Sequence, residues 1–380
     1  MKKKQIAIVT RRMITGGVER ALLAMLKQFD YDSVDIDLYL ESMTGELLTE
    51  VPKEVRCLEL PTVHASDAWK HPVFAVRKMW NMHVLKTKKL PYIEQSERYS
   101  RMLLPIRKKY DVAISYHAPN TVPVFYVMDQ IDADRKILWL HGDLDTNAGD
   151  TPLAIQYHSR YDRVFGVSQS VLDSFLKYHP DMRDKSELFY NYVDADGIRA
   201  KAETGPRFED DFSGMRILSI GRLDRQKGFD MAIEVCRALR EAGYAIRWYV
   251  CGDGAQRREL ENLIAAYRLQ DTFVLLGNQT NPYGYLKACD LYVQPSRFEG
   301  YCTTTNEARM LCKPVITTAV SGATEQFEHG VTGWVVPISA QEILEQLKWC
   351  LSHPHEVERV SKRLETIEFQ NKTCISRIYE

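Results

Sequence analysis

The sequence predicts an α/β protein built from two doubly wound parallel sheets, on three observations. The chain has 380 residues, too many for one ordinary core and enough for two domains of roughly 100–200 residues. Short β-branched runs alternate with helical stretches along most of its length, the pattern of parallel βαβ units. That alternation pauses at a polar stretch containing Gly and Pro, residues 195–214, which reads as the interdomain connection, and then restarts.

Taken in order, QIAIVT (5–10) reads as a buried strand, TGGVER (15–20) breaks it, and ALLAMLKQF begins a helix. VDIDLYL (34–40) is a second strand, with Asp35 and Asp37 on a solvated face at period two. From about 69 to 109 the pattern turns helical and basic. Strands return at VAISY (112–116), KILWLH (136–141), RVFGVS (163–168) and ELFYNYV (187–193). Past the connection, RILSIG (216–221), IRWYVCG (246–252), FVLLG (273–277), DLYVQPS (290–296) and PVITT (314–318) are strands separated by helices. Helices near 340–351 and 355–379 finish the chain. Two such halves make a cleft between them the expected place for a ligand.

Composition narrows the function. A net charge of −1 argues against a protein that coats nucleic acid. No apolar run approaches the roughly 20 residues that span a bilayer, and no secretory signal is visible. The eight cysteines form no CxxC pair, so zinc and dithiol motifs are absent and free thiols are expected. These features suit a protein of the reducing cytoplasm. GDGAQR (252–257) lacks the third glycine of a dinucleotide fingerprint. G-x-S-x-G and P-loop patterns are missing as well.

The sharpest constellation is RFEGYCTTTNEA (297–308), where a glycine-containing loop leads from a strand into a helix N-terminus. Free backbone N–H groups and the helix dipole suit a phosphate there. Glu299 lies in the loop and Glu307 in the helix, able to reach different hydroxyls of one extended ligand. A capping box with Glu307 reaching back to the backbone fits the spacing equally well. In GRLDRQKGF (221–229), Arg222 and Lys227 flank a strand-to-helix connection, suited to a diphosphate or simply solvated, and Asp224 can pair with either. Gly16 and Gly17 permit close backbone approach or a tight turn. His141, at the end of a strand, is a site candidate or a half-buried structural histidine.

In their order along the chain, GGVE, His141, NYVD (191–194), GRLDRQKG, CGDG (251–254), SRFEGYCTTTNEA and SGATEQFEHGVTGWVV (321–336) resemble the retaining glycosyltransferases of family 4, with the E-x7-E signature at Glu299 and Glu307. The resemblance implies the GT-B fold, two Rossmann-like domains facing across a cleft. It implies an acceptor-side domain over 1–194, a nucleotide-sugar domain over 195–360, and a helix over 361–380 crossing back to the first. Arg222 and Lys227 would bind the donor diphosphate, and Glu307 the ribose. Glu299 with Gly300, Tyr301, Cys302 and Thr303 would hold the donor end, His141 would contact the donor sugar, and Gly16 and Gly17 would line the cleft. The implied co-substrate is a nucleotide-diphosphosugar, with UDP the commonest base, and no cofactor or metal is called for. The implied acceptor is a glycan or a lipid-linked sugar in cell-surface polysaccharide synthesis. A same-fold epimerase or phosphorylase, and a catalytically silent sugar-binding subunit, are the alternatives.

Residues 69–109 hold eleven Lys/Arg against Glu94 and Glu97, a net +9 that leaves −10 elsewhere. Val73, Val76, Trp80 and Val84 fall near one helical face, with Arg77, Lys78, Lys88 and Lys89 nearby. A contact with an anionic membrane surface and a solvated basic face both fit this pattern.

Overall fold

The computed structural model describes residues 2–146, 149–367 and 374–380, which divide into two compact units. The first takes the chain as far as Tyr192 together with the described C-terminal residues 374–380; the second starts at Val193. In the first unit the strands are β1 (Lys4–Thr10), β2 (Val34–Leu40), β3 (Arg56–Glu59), β4 (Ile106–Ala118), β5 (Ile131–Leu140), β6 (Arg163–Gly166) and β7 (Ser186–Leu188). They form a parallel sheet in the order β3-β2-β1-β4-β5-β6-β7. Winding therefore reverses between β1 and β4. A strand buried on both faces needs an unbroken apolar run, which Ile6, Ala7, Ile8 and Val9 supply with no exposure. Trp139 of β5 packs edge-on to Phe165 and Phe189, with ring centroids 5.1 and 4.6 Å away. Cutting such a side chain to alanine costs about 3–5 kcal/mol.

The second unit holds β8 (Met215–Ile220), β9 (Ile246–Cys251), β10 (Phe273–Gly277), β11 (Leu291–Gln294), β12 (Val315–Thr318) and β13 (Trp334–Val336). Their order is β10-β9-β8-β11-β12-β13, again parallel, with the reversal between β8 and β11. Successive residues of a strand serve opposite faces. Ile217 and Trp248 enter one core with Phe229 and Ile233, while Leu218 and Tyr249 enter the other with Leu286 and Tyr292. The two-sheet α/β architecture read from the sequence is present.

Several elements differ from the sequence reading. The presumed connection contains a helix, Ala195–Thr204. The Asp194 side chain caps it by accepting from the Gly197 N–H at 3.1 Å, and its buried Ile198 and Ala202 join the second core. That apolar pair, four residues apart, anchors the helix despite its polar composition. Strand β4 starts at Ile106, so the last part of the basic stretch is strand rather than helix. The cause is Asp37, which is buried rather than solvated. Arg56 forks onto it at 2.8 and 2.7 Å, and Lys108 and the Tyr110 hydroxyl donate to it at 2.9 and 2.5 Å. Burial works to raise the Asp37 carboxyl group, and these donors outweigh it and hold its pKa below the usual range. Strand β7 is only three residues long. At the C-terminus the helix Pro354–Glu365 stops at Glu365, and a short 3-10 turn occupies Ile375–Ile378, so 361–380 is not one continuous helix; residues 368–373 of that expected helix lie outside the described residues. In the first unit, Tyr379 meets Phe29 with ring centroids 6.2 Å apart, and Arg377 pairs with Glu187.

The helix Pro72–Thr87 is inverted relative to an ordinary surface helix. Val84 and Asn81 are buried, Arg77 lies over the Phe74 ring at 4.5 Å, and Lys78 donates to Thr62 and to the Val63 carbonyl. The apolar residues face outward instead: Trp69 just before the helix is 76% exposed, Val73 73%, Val76 63%, Met79 68% and Trp80 65%. The expected face thus loses Val84, Arg77 and Lys78 to the protein side.

Candidate active site

The reversal between β8 and β11 leaves a crevice at the carboxyl ends of two adjacent strands, where open α/β sheets bind ligands. Two loops fill it. The first follows β8 through Gly221, Arg222 and a 3-10 turn, Arg225–Lys227, to Gly228. Asp224 caps this turn by accepting from the Lys227 N–H at 3.2 Å, and the stem of Lys227 passes over Gly221, where a Cβ would come within 3.2 Å of it. Gly228 has φ +67°, and a Cβ there would sit 2.1 Å from the Pro295 carbonyl oxygen, so only glycine fits. The second loop, after β11, carries Glu299 and ends at the helix Thr303–Met310.

The loops meet at a buried ion pair. Lys227 Nζ donates to Glu299 Oε1 at 2.6 Å, with both side chains largely covered. Burial alone would lower the Lys227 pKa, and the Glu299 carboxylate reverses that, so the ammonium is favoured. Ser296 Oγ also donates to Glu299 Oε1, at 2.6 Å, and receives a bond from Gln294 Nε2 at 2.9 Å. Gln294 Oε1 in turn accepts from the Tyr292 hydroxyl at 2.6 Å and from Thr304 at 3.2 Å. Tyr292, Gln294, Ser296, Glu299 and Lys227 thus form one hydrogen-bonded ladder under the crevice. An ammonium has three donors, and Glu299 engages one.

Arg222 is mostly exposed and uses Nε on Asp224 at 2.6 Å. Glu307 is buried in the helix and accepts from the Tyr283 hydroxyl at 3.1 Å. The helix N-terminus starts after Cys302, whose side chain makes no cap bond. Its carbonyl is held instead by Thr305 at 2.8 Å and Gln326 at 3.0 Å. Burial, with the Glu299 charge adding to it, pushes the Cys302 thiol up, so it stays protonated. The structure therefore brings Arg222, Lys227, Glu299, Gly300, Tyr301, Cys302, Thr303 and Glu307 together on two adjoining loops and one helix. Gln226, Tyr283, Gln294 and Ser296 escaped the sequence reading. The signal for two of them was present: Tyr292, Gln294 and Ser296 recur at period two along β11 and the two residues after it.

In the first unit, Gly16 caps the helix Gly17–Leu26, and a Cβ on it would meet the Glu19 carboxylate at 2.4 Å. His141 follows β5 with its ring 4.7 Å from that of Tyr116. Burial, reinforced by His117, pulls its pKa well down, so the imidazole is neutral. Its Nε2 has no hydrogen-bond partner among the described residues.

The family described as Glycosyl transferases group 1 matches residues 213–366, which hold both loops and the helix that follows the second. The second unit is a group 1 glycosyl transferase domain. The chain is 22% identical over 353 residues, 90% of its length and 88% of the relative's, to N-acetylgalactosamine-N,N'-diacetylbacillosaminyl-diphospho-undecaprenol 4-alpha-N-acetylgalactosaminyltransferase of Campylobacter jejuni. It is 34% identical over 131 residues, 32% of each chain, to the amylovoran biosynthesis glycosyltransferase AmsK of Erwinia amylovora. Among solved structures, Anabaena HepE in complex with UDP-glucose superposes with a TM-score of 0.71 at 18% identity, over 99% of this chain and 98% of that one. The glycosyltransferase domain thus lies in a chain of GT-B fold.

Proposed function

We propose that the chain is a retaining glycosyltransferase that moves a sugar from a UDP-sugar to a glycan or lipid-linked acceptor in cell-surface polysaccharide synthesis. The observation that carries this reading is the Lys227–Glu299 pair beside the N-terminus of the helix Thr303–Met310, in the crevice of a group 1 glycosyl transferase domain. A diphosphate set there meets the two remaining Lys227 donors, the open end of the Arg222 guanidinium and free backbone N–H groups, which stabilise the charge that develops as it leaves. Glu307, held by Tyr283, takes the ribose hydroxyls. Glu299 and the backbone of residues 300–303 take the sugar.

In the transfer, the bond from the anomeric carbon to the phosphate oxygen breaks and a bond to the acceptor oxygen forms on the same face. The acceptor proton passes to the departing phosphate oxygen, so no side chain serves as nucleophile. The diphosphate is neutralised by Lys227, Arg222 and the helix end, and addition of a chelator is expected to leave the rate unchanged. UDP in complexes of the similar HepE structure and the diphospho-undecaprenol in the name of the Campylobacter relative support the choice of donor and acceptor. The outward apolar face of the helix Pro72–Thr87, flanked by Lys70, Lys86, Lys88 and Lys89, supports a peripheral seat on the cytoplasmic side of a membrane. Among the described residues no helix is long and apolar enough to cross one.

The test is a melting series with UDP-, GDP- and ADP-sugars, followed by transfer assays with the stabilising donor and proton NMR of the product anomer. A UDP-sugar should raise the melting temperature most, and the product should keep the donor's anomeric configuration. An inverted product, or donor consumption without transfer, overturns the reading.

A further inference from the structure

The first unit contains a pocket of about 510 Å3 that the donor site does not explain. Its position is that of a substrate pocket. Arg11 and Glu41 lie one residue beyond the ends of β1 and β2, Leu60 lies one residue beyond β3, and all line it, so it opens at the carboxyl rim of the sheet. The helix Pro72–Thr87 forms one wall with Lys78, Met82, Leu85 and Lys86, and the helix Tyr92–Arg101 another.

The lining has two chemistries. Arg11, Lys78 and Lys86 set three cations against the single carboxylate of Glu41. Lys78 is spent on Thr62 and Val63. Arg11 Nε and Glu41 Oε1 stand 3.8 Å apart, and neither atom has a hydrogen-bond partner among the described residues. Lys86 is exposed and has no hydrogen-bond or ion-pair partner among them. The rest of the wall is apolar, with Met82, Leu85, Met102 and Leu103 beside the rings of Tyr92 and Tyr99. Met82 is the link to the surface. It lines the pocket and is also exposed, on the helix whose outer face carries Val76, Met79 and Trp80. An apolar track therefore leads from the pocket wall to that face.

We propose that this pocket binds an amphiphile with a phosphate-bearing head and a hydrocarbon tail, the head on Arg11 and Lys86 and the tail leaving past Met82 along the helix. Cations without apolar walls would suit a free phosphate, and apolar walls without cations would suit a neutral lipid; this pocket has both. The proposal rests on the glycosyltransferase reading in taking this amphiphile for the acceptor, and it names the acceptor's chemistry.

The experiment is a calorimetric titration of the full chain, with UDP present in excess to block the donor site. The probes are farnesyl diphosphate, farnesol, inorganic diphosphate and lysophosphatidic acid. Farnesyl diphosphate should bind at least about 10-fold more tightly than farnesol or inorganic diphosphate. Lys86→Glu and Leu85→Arg should each weaken it about 10-fold, and Lys53→Glu, an equal charge reversal at an exposed residue outside the pocket, should leave it unchanged. Lys86 is exposed, so its variant tests charge without disturbing the core. Lysophosphatidic acid binding as tightly as farnesyl diphosphate supports the chemistry and points to membrane phospholipid; weaker binding supports a prenyl-linked acceptor. Inorganic diphosphate matching farnesyl diphosphate, no binding at all, or unchanged binding in Lys86→Glu overturns the proposal. UDP binding is measured separately: if it fails while the amphiphile binds, the glycosyltransferase reading falls and the pocket stands. If UDP binds and the amphiphile does not, the pocket alone falls.

Discussion

The two sheet rims are finished in opposite ways. In the second unit the crevice is floored by a ladder in which Tyr292, Gln294, Ser296 and Glu299 bond to one another and hold Lys227 by one of its donors. In the first unit the rim is held more loosely among the described residues: Arg11 Nε and Glu41 Oε1 meet only as an ion pair 3.8 Å apart, His141 Nε2 lacks a hydrogen-bond partner, and a nearby helix turns its apolar side outward. Buried polar groups that are fully paired hold one geometry, whereas unpaired ones await a partner. In the proposed reading, the contrast separates a half prepared in advance for the donor from a half completed by the acceptor.

The severest way to break this contrast is at the ladder. Lys227→Ala should lower transfer kcat/KM by more than about 1,000-fold and, by stranding Glu299, cost about 3–5 kcal/mol of stability. Steady-state kinetics and urea melts of the same sample check both. Full activity in this variant and in Glu299→Gln would show that the site lies elsewhere.

The first unit's unfinished interior should also show in its pH response. His158 is fully buried, and desolvation lowers its pKa to about 4 despite a bond to the Pro119 carbonyl. The unfolded chain takes up this proton near pH 6.5 and the folded chain does not until about 4. Stability should therefore be complete above pH 6.5 and fall as pH drops toward 4, by roughly 3 kcal/mol from this group. Urea midpoints measured from pH 7.5 to 4.5 test it, and His158→Gln should flatten the slope.

A smaller effect is expected at the outward helix face. Replacing Val76, Met79 and Trp80 with Ser should lower partitioning onto anionic vesicles by roughly 30-fold, read by co-sedimentation at low and high salt. Replacing Lys88 and Lys89 with Gln should lower it less, because apolar area dominates that face. Unchanged binding in the triple variant would return the helix to an ordinary solvated role. The finest probe is Tyr283→Phe, which removes one bond to Glu307 and should raise donor KM about 5-fold, worth about 1 kcal/mol, with little change in kcat.

Much of the second unit was legible in the sequence. Strand runs, the Arg222–Lys227 connection and the spacing of Glu299 from Glu307 are local features, and the fold carries them side by side. What escaped depends on contacts distant in sequence. Nothing near Lys227 announces that Glu299, 72 residues on, takes its proton donor, nor that Tyr283 serves Glu307. The helix Ala195–Thr204 was hidden because two buried apolar residues suffice where a core is waiting. Which face of Pro72–Thr87 meets the protein is left open by the sequence for the converse reason. Periodicity reports that a helix has an apolar side but not which side meets the protein, and Arg77 with Lys78 found partners there.

The close approach at Gly228 has a mechanical consequence. Its Cα lies against the Pro295 carbonyl, the Arg297 N–H donates to the Gln226 carbonyl at 2.7 Å, and Gln226 Nε2 donates to the Phe298 carbonyl at 3.0 Å. The strand ends β8 and β11 therefore carry not two loops but one riveted plate. Neither edge of the plate can shift without the other, so in the proposed reading a donor laid across it should dissociate with a single rate.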